Sequence, residues 1–265
     1  MTAHHVHTVF GACLGAAVRT KVLAVSPMAH VTAVPSRGEA DHGMVLDQAQ
    51  LRALVEGFRG SVLFPIIATL ASTGCRRSEA LALQWDDLDA EAKTLRIARA
   101  IEQTGDGLTL KDPKTASGKR TITIDDDLIA LLLAEKEKHL RIVAGVPDGV
   151  AVDLAFVKLP NGALMFPGMP GPGEGVSLTK LRNPDNTTKE FIRKARKLGF
   201  AGLRLHDLRG SHETALLDSG MSVHVVAQRC GHDPAVLLRS YAKRTKGADT
   251  QAAAIIGAML KGVLR

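Results

Sequence analysis

HDLRGSHETALLDSGMSVHVVAQRCGHDPAVLLRSY, residues 206–241, reads as short helices punctuated by glycine. His206 to Leu217 is helical and stops at Ser219-Gly220. Val223 to Arg229 and Pro234 to Tyr241 supply two more helices. Three features of this stretch carry chemistry. The spacing His206-x-x-Arg209 puts an imidazole and a guanidinium on one face of a helix. The pair Gly231-His232 follows. Tyr241, the single tyrosine of the chain, comes nine residues after His232.

Upstream, the pattern is helical first and then changes period. Residues 1 to about 24 carry Val9, Leu14, Ala17 and Val18 near helical spacing; a loop between Pro27 and Pro35 and a polar linker, Ser36 to Gly43, follow. Leu46 opens a second helix, where Asp47 and Gln50 resemble a capping box and Leu51, Leu54, Val55 and Phe58 share a face. Val62 to Ser72 is apolar all round, the mark of a buried helix, with Pro65 in its first turn and Gly74 closing it. Within Thr73-Gly74-Cys75-Arg76-Arg77-Ser78-Glu79, Arg76 therefore falls at a helix junction beside a buried element.

From Thr94 the period becomes β-like. Thr94 to Ile101, Leu108 to Lys111 and Thr121 to Ile124 are short strands, the last two flanking the turn Pro113 to Gly118, and one small antiparallel sheet accounts for them. Asp125 to Asp127 cap a helix over Leu128 to Val143. Pro167 to Gly175 is almost all proline and glycine and lacks the ending of a phosphate-binding P-loop. Thr187 to Leu198 is a helix carrying Lys189, Arg193, Lys194, Arg196 and Lys197. An apolar helix from about Asp249 to Val263 ends the chain. The fold class is α+β, mostly α, without internal repeats.

Composition narrows the partners. The 265 residues carry a net charge of +7, which suits a polyanion, and the low aromatic share of 3% leaves a core of Leu, Ala, Val and Ile. Cys13, Cys75 and Cys230 have no CxxC spacing, so they are expected as small buried hydrophobes with neither a disulfide framework nor a zinc site. His212-Glu213 lacks the second histidine of HExxH, and no metal is expected. No apolar run is long enough for a membrane helix and no secretion signal is visible, so the expectation is a soluble cytoplasmic, nucleoid-associated protein.

Arg76, His206-x-x-Arg209, Gly231-His232 and Tyr241, in that order, resemble the catalytic domain of the tyrosine recombinases, the phage-integrase family, over residues 45–265. The chemistry suits the residue types. Phosphoryl transfer to a hydroxyl spreads charge over non-bridging oxygens, and the planar, permanently charged forks of Arg76 and Arg209 can bond two of them. The resemblance implies that Tyr241 is the nucleophile and forms a 3′-phosphotyrosine, that His206 handles its proton, and that His232 bonds the phosphate. It also implies a lysine proton donor in a strand turn; Lys114 matches, with Lys111 and Lys119 as competitors in the same hairpin. Glu79 is implied to orient Arg76, and His212 to be structural. No cofactor is implied.

The resemblance further implies site-specific recombination at attachment-type double-stranded DNA, by a homotetramer on DNA, with accessory DNA-bending or directionality proteins as further partners. Lys119, Arg193, Lys194, Lys197, Lys243 and Arg244 are expected to meet phosphates. Residues 1–44 are expected to be only the last helix and linker of an N-terminal core-binding domain, most of which is missing, so that DNA binding is weaker than a full-length integrase's; residues 45–265 form the catalytic domain. The alternatives are strand relaxation of the type IB topoisomerase kind and a non-catalytic DNA-binding remnant.

Overall fold

A computed structural model describes residues 3–31, 43–112 and 118–244, with isolated positions at 256, 258 and 261. Two compact units divide between His42 and Gly43. The first holds α1 (Ala3–Arg19), which has no buried residue, and a 3₁₀ turn, Pro27–His30, capped by Ser26. The helix is shorter than the sequence suggests because Lys21 turns left-handed at φ 59°.

The second unit is built around α3 (Phe64–Thr73), buried along nearly its whole length. It packs against α2 (Gln48–Gly57), α5 (Asp126–Ala144) and α7 (Asp207–Asp218). The capping box of α2 forms as read: Asp47 Oδ1 accepts from Gln50 N–H at 2.8 Å, and Gln50 Oε1 accepts from Asp47 N–H at 3.0 Å. Leu54 and Phe58 of this segment are fully buried, and the Phe58 ring stacks on Phe191 at 5.5 Å. Phe191 belongs to α6 (Pro184–Lys197), which starts earlier than periodicity suggests because Asn183 caps it and Pro184 occupies its first turn.

The β-structure differs from the single sheet expected. β1 (Leu88–Asp89), β2 (Thr94–Ile97) and β5 (Arg120–Thr123) form one antiparallel sheet, ordered β1-β2-β5; β3 (Ala100–Thr104) and β4 (Gly107–Lys111) form a separate hairpin. The two strands flanking residues 113–118 thus belong to different sheets. The run from Thr94 to Ile101 breaks because Arg96 and Arg99 both reach Asp87. In a regular strand residues three apart point to opposite faces, so this shared carboxylate requires a bend between them.

A second, smaller apolar cluster joins α7 to α8 (Val223–Cys230) and α9 (Pro234–Arg244) through Val226, Ala227, Cys230 and Leu237. Cys75 and Cys230 are buried as expected, and burial raises both thiol pKa values to about 11. Cys13 is exposed, against expectation, on a helix that has no buried residue. Among the described residues no helix is long and apolar enough to cross a membrane.

His212, on α7, is locked as a neutral ring. Its Nδ1 lies 2.9 Å from the Ala71 carbonyl, and its Nε2 accepts from Arg229 Nε at 3.3 Å. Desolvation, with the Arg229 charge, lowers its pKa to about 4. A histidine depressed in the folded state weakens folding as pH falls from its ordinary value, about 6.5, towards 4, because only the unfolded chain takes the proton. Between pH 7 and pH 5 this group should cost about 2 kcal/mol. Urea unfolding at the two pH values should show that His212→Gln has lost this share of the pH dependence.

Candidate active site

The site assembles where three chain reversals meet. Gly74 ends α3 at φ 64°, and a Cβ there would stand 2.6 Å from the His212 ring, so only glycine fits. Its carbonyl is thereby aimed at Arg209, whose Nη1 donates to it at 2.8 Å. Gly231 ends α8 at φ 67° and delivers His232 to the same place. Arg76 caps α4 (Arg77–Ala80), and its Nη2 donates to the Gly231 carbonyl at 3.1 Å. Two arginines and a histidine, distant in sequence, thus converge.

Arg209 is 2% exposed. Its Nε lies 3.0 Å from Glu213 Oε1 and 3.1 Å from His232 Nε2, and Glu213 Oε1 lies 2.8 Å from that same imidazole nitrogen. The remaining guanidinium nitrogen, Nη2, is buried without a protein partner among the described residues. An unsatisfied charged donor inside a protein is costly, and it is a ready position for an anionic oxygen. Arg76 is more open; its guanidinium is held by Glu79 Oε1 at 2.7 Å while its backbone N–H donates to Glu79 Oε2 at 2.9 Å.

Glu79 is itself buried and has a second cation. Arg120 Nη2 lies 2.9 Å from Glu79 Oε2, and Arg120 Nε donates to the Arg229 carbonyl at 2.7 Å. Despite the opposing effect of burial, which is the largest influence, these arginines together hold the Glu79 pKa below the usual carboxylate value. Arg120 therefore ties β5, through Glu79, to Arg76 and to the end of α8.

His206 stands at the N-terminal boundary of α7, exposed; partial desolvation, then the Arg209 charge, lower its pKa, which keeps the ring neutral and able to accept a proton. Tyr241, on α9, is not at the cluster. Its hydroxyl donates to Asp218 Oδ1 at 2.8 Å, and this bond raises the phenol pKa. Asp218 is nine residues beyond Arg209 on α7, about 13 Å along the axis.

Lys114 lies outside the described residues. Of its competitors, Lys111 pairs with Glu102 and Lys119 with Asp112 at 2.7 Å. Arg193 and Lys197 are exposed on α6. Lys194 is turned back, its ammonium 5.1 Å above the Phe58 ring, which withdraws it from the exposed basic face. Arg77 anchors α6, donating to the Pro184 carbonyl at 3.0 Å and to Thr188 Oγ1 at 2.5 Å. Lys243 and Arg244 lie on α9, their side chains outside the described residues. Among those described, no cluster of histidine, cysteine and carboxylate side chains could hold a metal ion.

Reading the sequence for single motifs missed Arg120, Glu213 and Asp218. Glu213 could have been found, since it sits one helical turn after Arg209. Nothing local marks Arg120 or Asp218, whose partners lie 41 and 23 residues away.

The chain belongs to the phage integrase family, whose model matches residues 45–247. Among curated relatives, a putative prophage phiRv2 integrase of Mycobacterium tuberculosis is 26% identical over 68% of this chain and 42% of its own length. An integrase of Saccharopolyspora erythraea is 24% identical over 91% of this chain and 62% of its own. The chain thus spans under two thirds of the length of these two relatives. Among solved structures, the Tn1549 transposon integrase in complex with a circular intermediate DNA superposes with a TM-score of 0.71 at 18% identity, covering 96% of this chain and 78% of that one. A lambda integrase dimer bound to a COC′ core site gives 0.57 at 14% identity, over 92% and 59%. These likenesses show the fold.

A measurement independent of activity checks the Asp218 contact. Tyr241 is the only tyrosine, so ultraviolet titration of tyrosinate reports it alone. Asp218→Asn should move its midpoint down towards the ordinary phenol value of about 10; an unchanged midpoint would show that the contact does not form in solution.

Proposed function

We propose that this chain cleaves and rejoins DNA strands as a site-specific tyrosine recombinase of the phage-integrase type. The observation that carries the reading is the buried Nη2 of Arg209, without a partner among the described residues, beside Arg76 and His232. A scissile phosphate seated there receives hydrogen bonds on its non-bridging oxygens from both guanidinium groups and from His232. Such donors act most strongly where water is excluded and the geometry is set in advance.

In the cleavage step the Tyr241 oxygen attacks phosphorus, a Tyr–O–P bond forms, and the bond from phosphorus to the 5′-oxygen breaks. His206 takes the phenol proton, and Lys114 gives a proton to the departing 5′-oxygen. The 3′-phosphotyrosine conserves the energy of the broken bond, and the 5′-hydroxyl of another strand reverses the step. No cofactor takes part. Tyr241 must leave Asp218 to react, so DNA binding and release of this contact are coupled. Residues 45–265 supply the chemistry, and residues 1–44 are the end of a core-binding domain with its linker. Attachment-type duplex DNA is the substrate; a homotetramer assembles on it, with accessory DNA-bending or directionality proteins. The exposed arginines and lysines of α6, with Lys119, Lys243 and Arg244, contact phosphates.

Covalent trapping tests this. With nicked attachment-type DNA, wild type should give a denaturation-resistant protein–DNA adduct and Tyr241→Phe none. Arg209→Lys should slow adduct formation by about 10²–10³-fold. Binding without any adduct would sink the catalytic reading and leave a DNA-binding module.

A further inference from the structure

We propose that Arg120 is a positioning residue: it fixes the buried Glu79 carboxylate and the turn after α8, and through both it holds the Arg76 guanidinium in place for the phosphate. The inference rests on the reading of the site as a phosphoryl-transfer centre. It concerns a residue that reaches the reacting atoms only through others.

Each of the three guanidinium nitrogens of Arg120 is already bonded within the protein. Nε donates to the Arg229 carbonyl at 2.7 Å, Nη1 to the Gly118 carbonyl at 3.1 Å and Nη2 to Glu79 Oε2 at 2.9 Å. Its side chain is 6% exposed. Arg209 differs in having an Nη2 without a partner among the described residues, and Arg76 differs in being 41% exposed. Arg76 and Arg209 are therefore the arginines open to an anion, and Arg120 is closed to one.

The bonds of Arg120 close a ring around Arg76. Glu79 Oε1 accepts from Arg76 Nη1 at 2.7 Å, while Oε2 accepts from the Arg76 backbone N–H at 2.9 Å and from Arg120. On the other side, Arg76 Nη2 donates to the Gly231 carbonyl at 3.1 Å, two residues beyond the carbonyl that Arg120 Nε binds. Both Nη groups of Arg76 thus rest on acceptors that Arg120 holds. The charge matters too. A buried carboxylate facing Arg76 alone would cancel much of its field at the phosphate; with Arg120 as a second counter-ion on Glu79, Arg76 keeps more of it. Lysine could not reproduce this. Its ammonium gathers every donor on one atom, whereas these three acceptors lie on separate segments and each takes a different nitrogen.

The test has two arms. Nitrogen-15 NMR of arginine side chains on the full, DNA-free chain reads how firmly Arg76 is held, with its signals identified as those lost in Arg76→Lys. A guanidinium bonded at both Nη groups turns slowly about its Nε–Cζ bond, so wild type should give two separate Nη signals for Arg76. In Arg120→Lys they should merge into one averaged signal. In the second arm, adduct formation is timed at saturating nicked DNA. Arg120→Lys should be slowed on the order of 10²-fold, as for other small misplacements of a group at the reacting centre, with unchanged DNA affinity and an unchanged titration midpoint for Tyr241. Separate Arg76 signals that persist in Arg120→Lys overturn the proposal, as does a single averaged signal in wild type. A rate within twofold of wild type overturns it as well, and so does a shifted Tyr241 midpoint, which would mean a general loosening. If Arg120→Lys does not fold, Arg120→Gln takes its place under the same criteria; failure of both to fold assigns Arg120 to the scaffold and overturns the positioning role. If wild type forms no adduct with any DNA, the functional reading fails, and the Arg76 signals by themselves still support or overturn the hold of Arg120 on Arg76.

Discussion

A whole guanidinium in the interior is the constraint around which this unit is organised. Arg209 is among the largest fully buried side chains. Removing such an ion from water costs several kcal/mol even after relaxation, so the fold must surround it with partners. It does so from three directions, with the Gly74 carbonyl, Glu213 and His232. Each partner depends on a local rule. The carbonyl is available because Gly74 alone tolerates both φ 64° and the adjoining His212 ring. Glu213 is one turn along the same helix. His232 arrives because Gly231 reverses the chain after α8. The stops legible as helix ends are also what brings the site together.

A second ion node braces the first. Glu79 binds Arg76 and Arg120, and Arg120 reaches on to the Arg229 carbonyl, so β5, α4 and the end of α8 are tied together. Arg229 strengthens the seam by donating to the carbonyls of Thr123 at 3.0 Å and Ser72 at 3.1 Å. The two nodes together hold three arginines, Arg76, Arg120 and Arg209, against two carboxylates, Glu79 and Glu213. Among the described residues, the Nη2 of Arg209 has no protein acceptor. In the proposed function that acceptor is a phosphate oxygen, and its charge arrives with the substrate.

Residue order in the sequence carried the identity of the cluster but not its wiring. Arg76, Arg209 and His232 were legible because motif spacing and helix punctuation are local properties. The capping box of Asp47 and Gln50, the buried α3 and the basic α6 were legible for the same reason. What failed depended on long-range pairing. The strands beside residues 113–118 looked like one hairpin, yet β5 pairs with β2 across more than twenty residues while β4 pairs with its neighbour β3. Strand propensity cannot choose among partners of equal local fit; here the choice follows from Asp87, which captures Arg96 and Arg99 and bends the chain between β2 and β3. Lys194 shows a similar limit, since its spacing on α6 does not reveal that Phe58 lies beneath it.

Tyr241, the proposed nucleophile, stands apart from this arrangement, and its placement has its own logic. The receiving groups are fixed by buried ion pairs and by the main core. α9, by contrast, contributes Leu237 to a small cluster with α8, and elements held by few buried contacts are the ones that open at low free-energy cost. Tyr241 rests against a carboxylate, which disfavours its ionised form. The arginine cluster supplies the opposite field. Moving the phenol from Asp218 to the cluster would exchange a repulsive charge for attractive ones, so under the proposed function the same side chain is a poor nucleophile where it rests and a better one at the cluster. Under the proposed function the tether needs to be loose for that exchange to occur, and the cluster needs to be fixed for it to matter. The buried polar contacts gathered around Arg209, and Leu237 as the α9 residue in the small cluster with α8 among those described, fit both conditions.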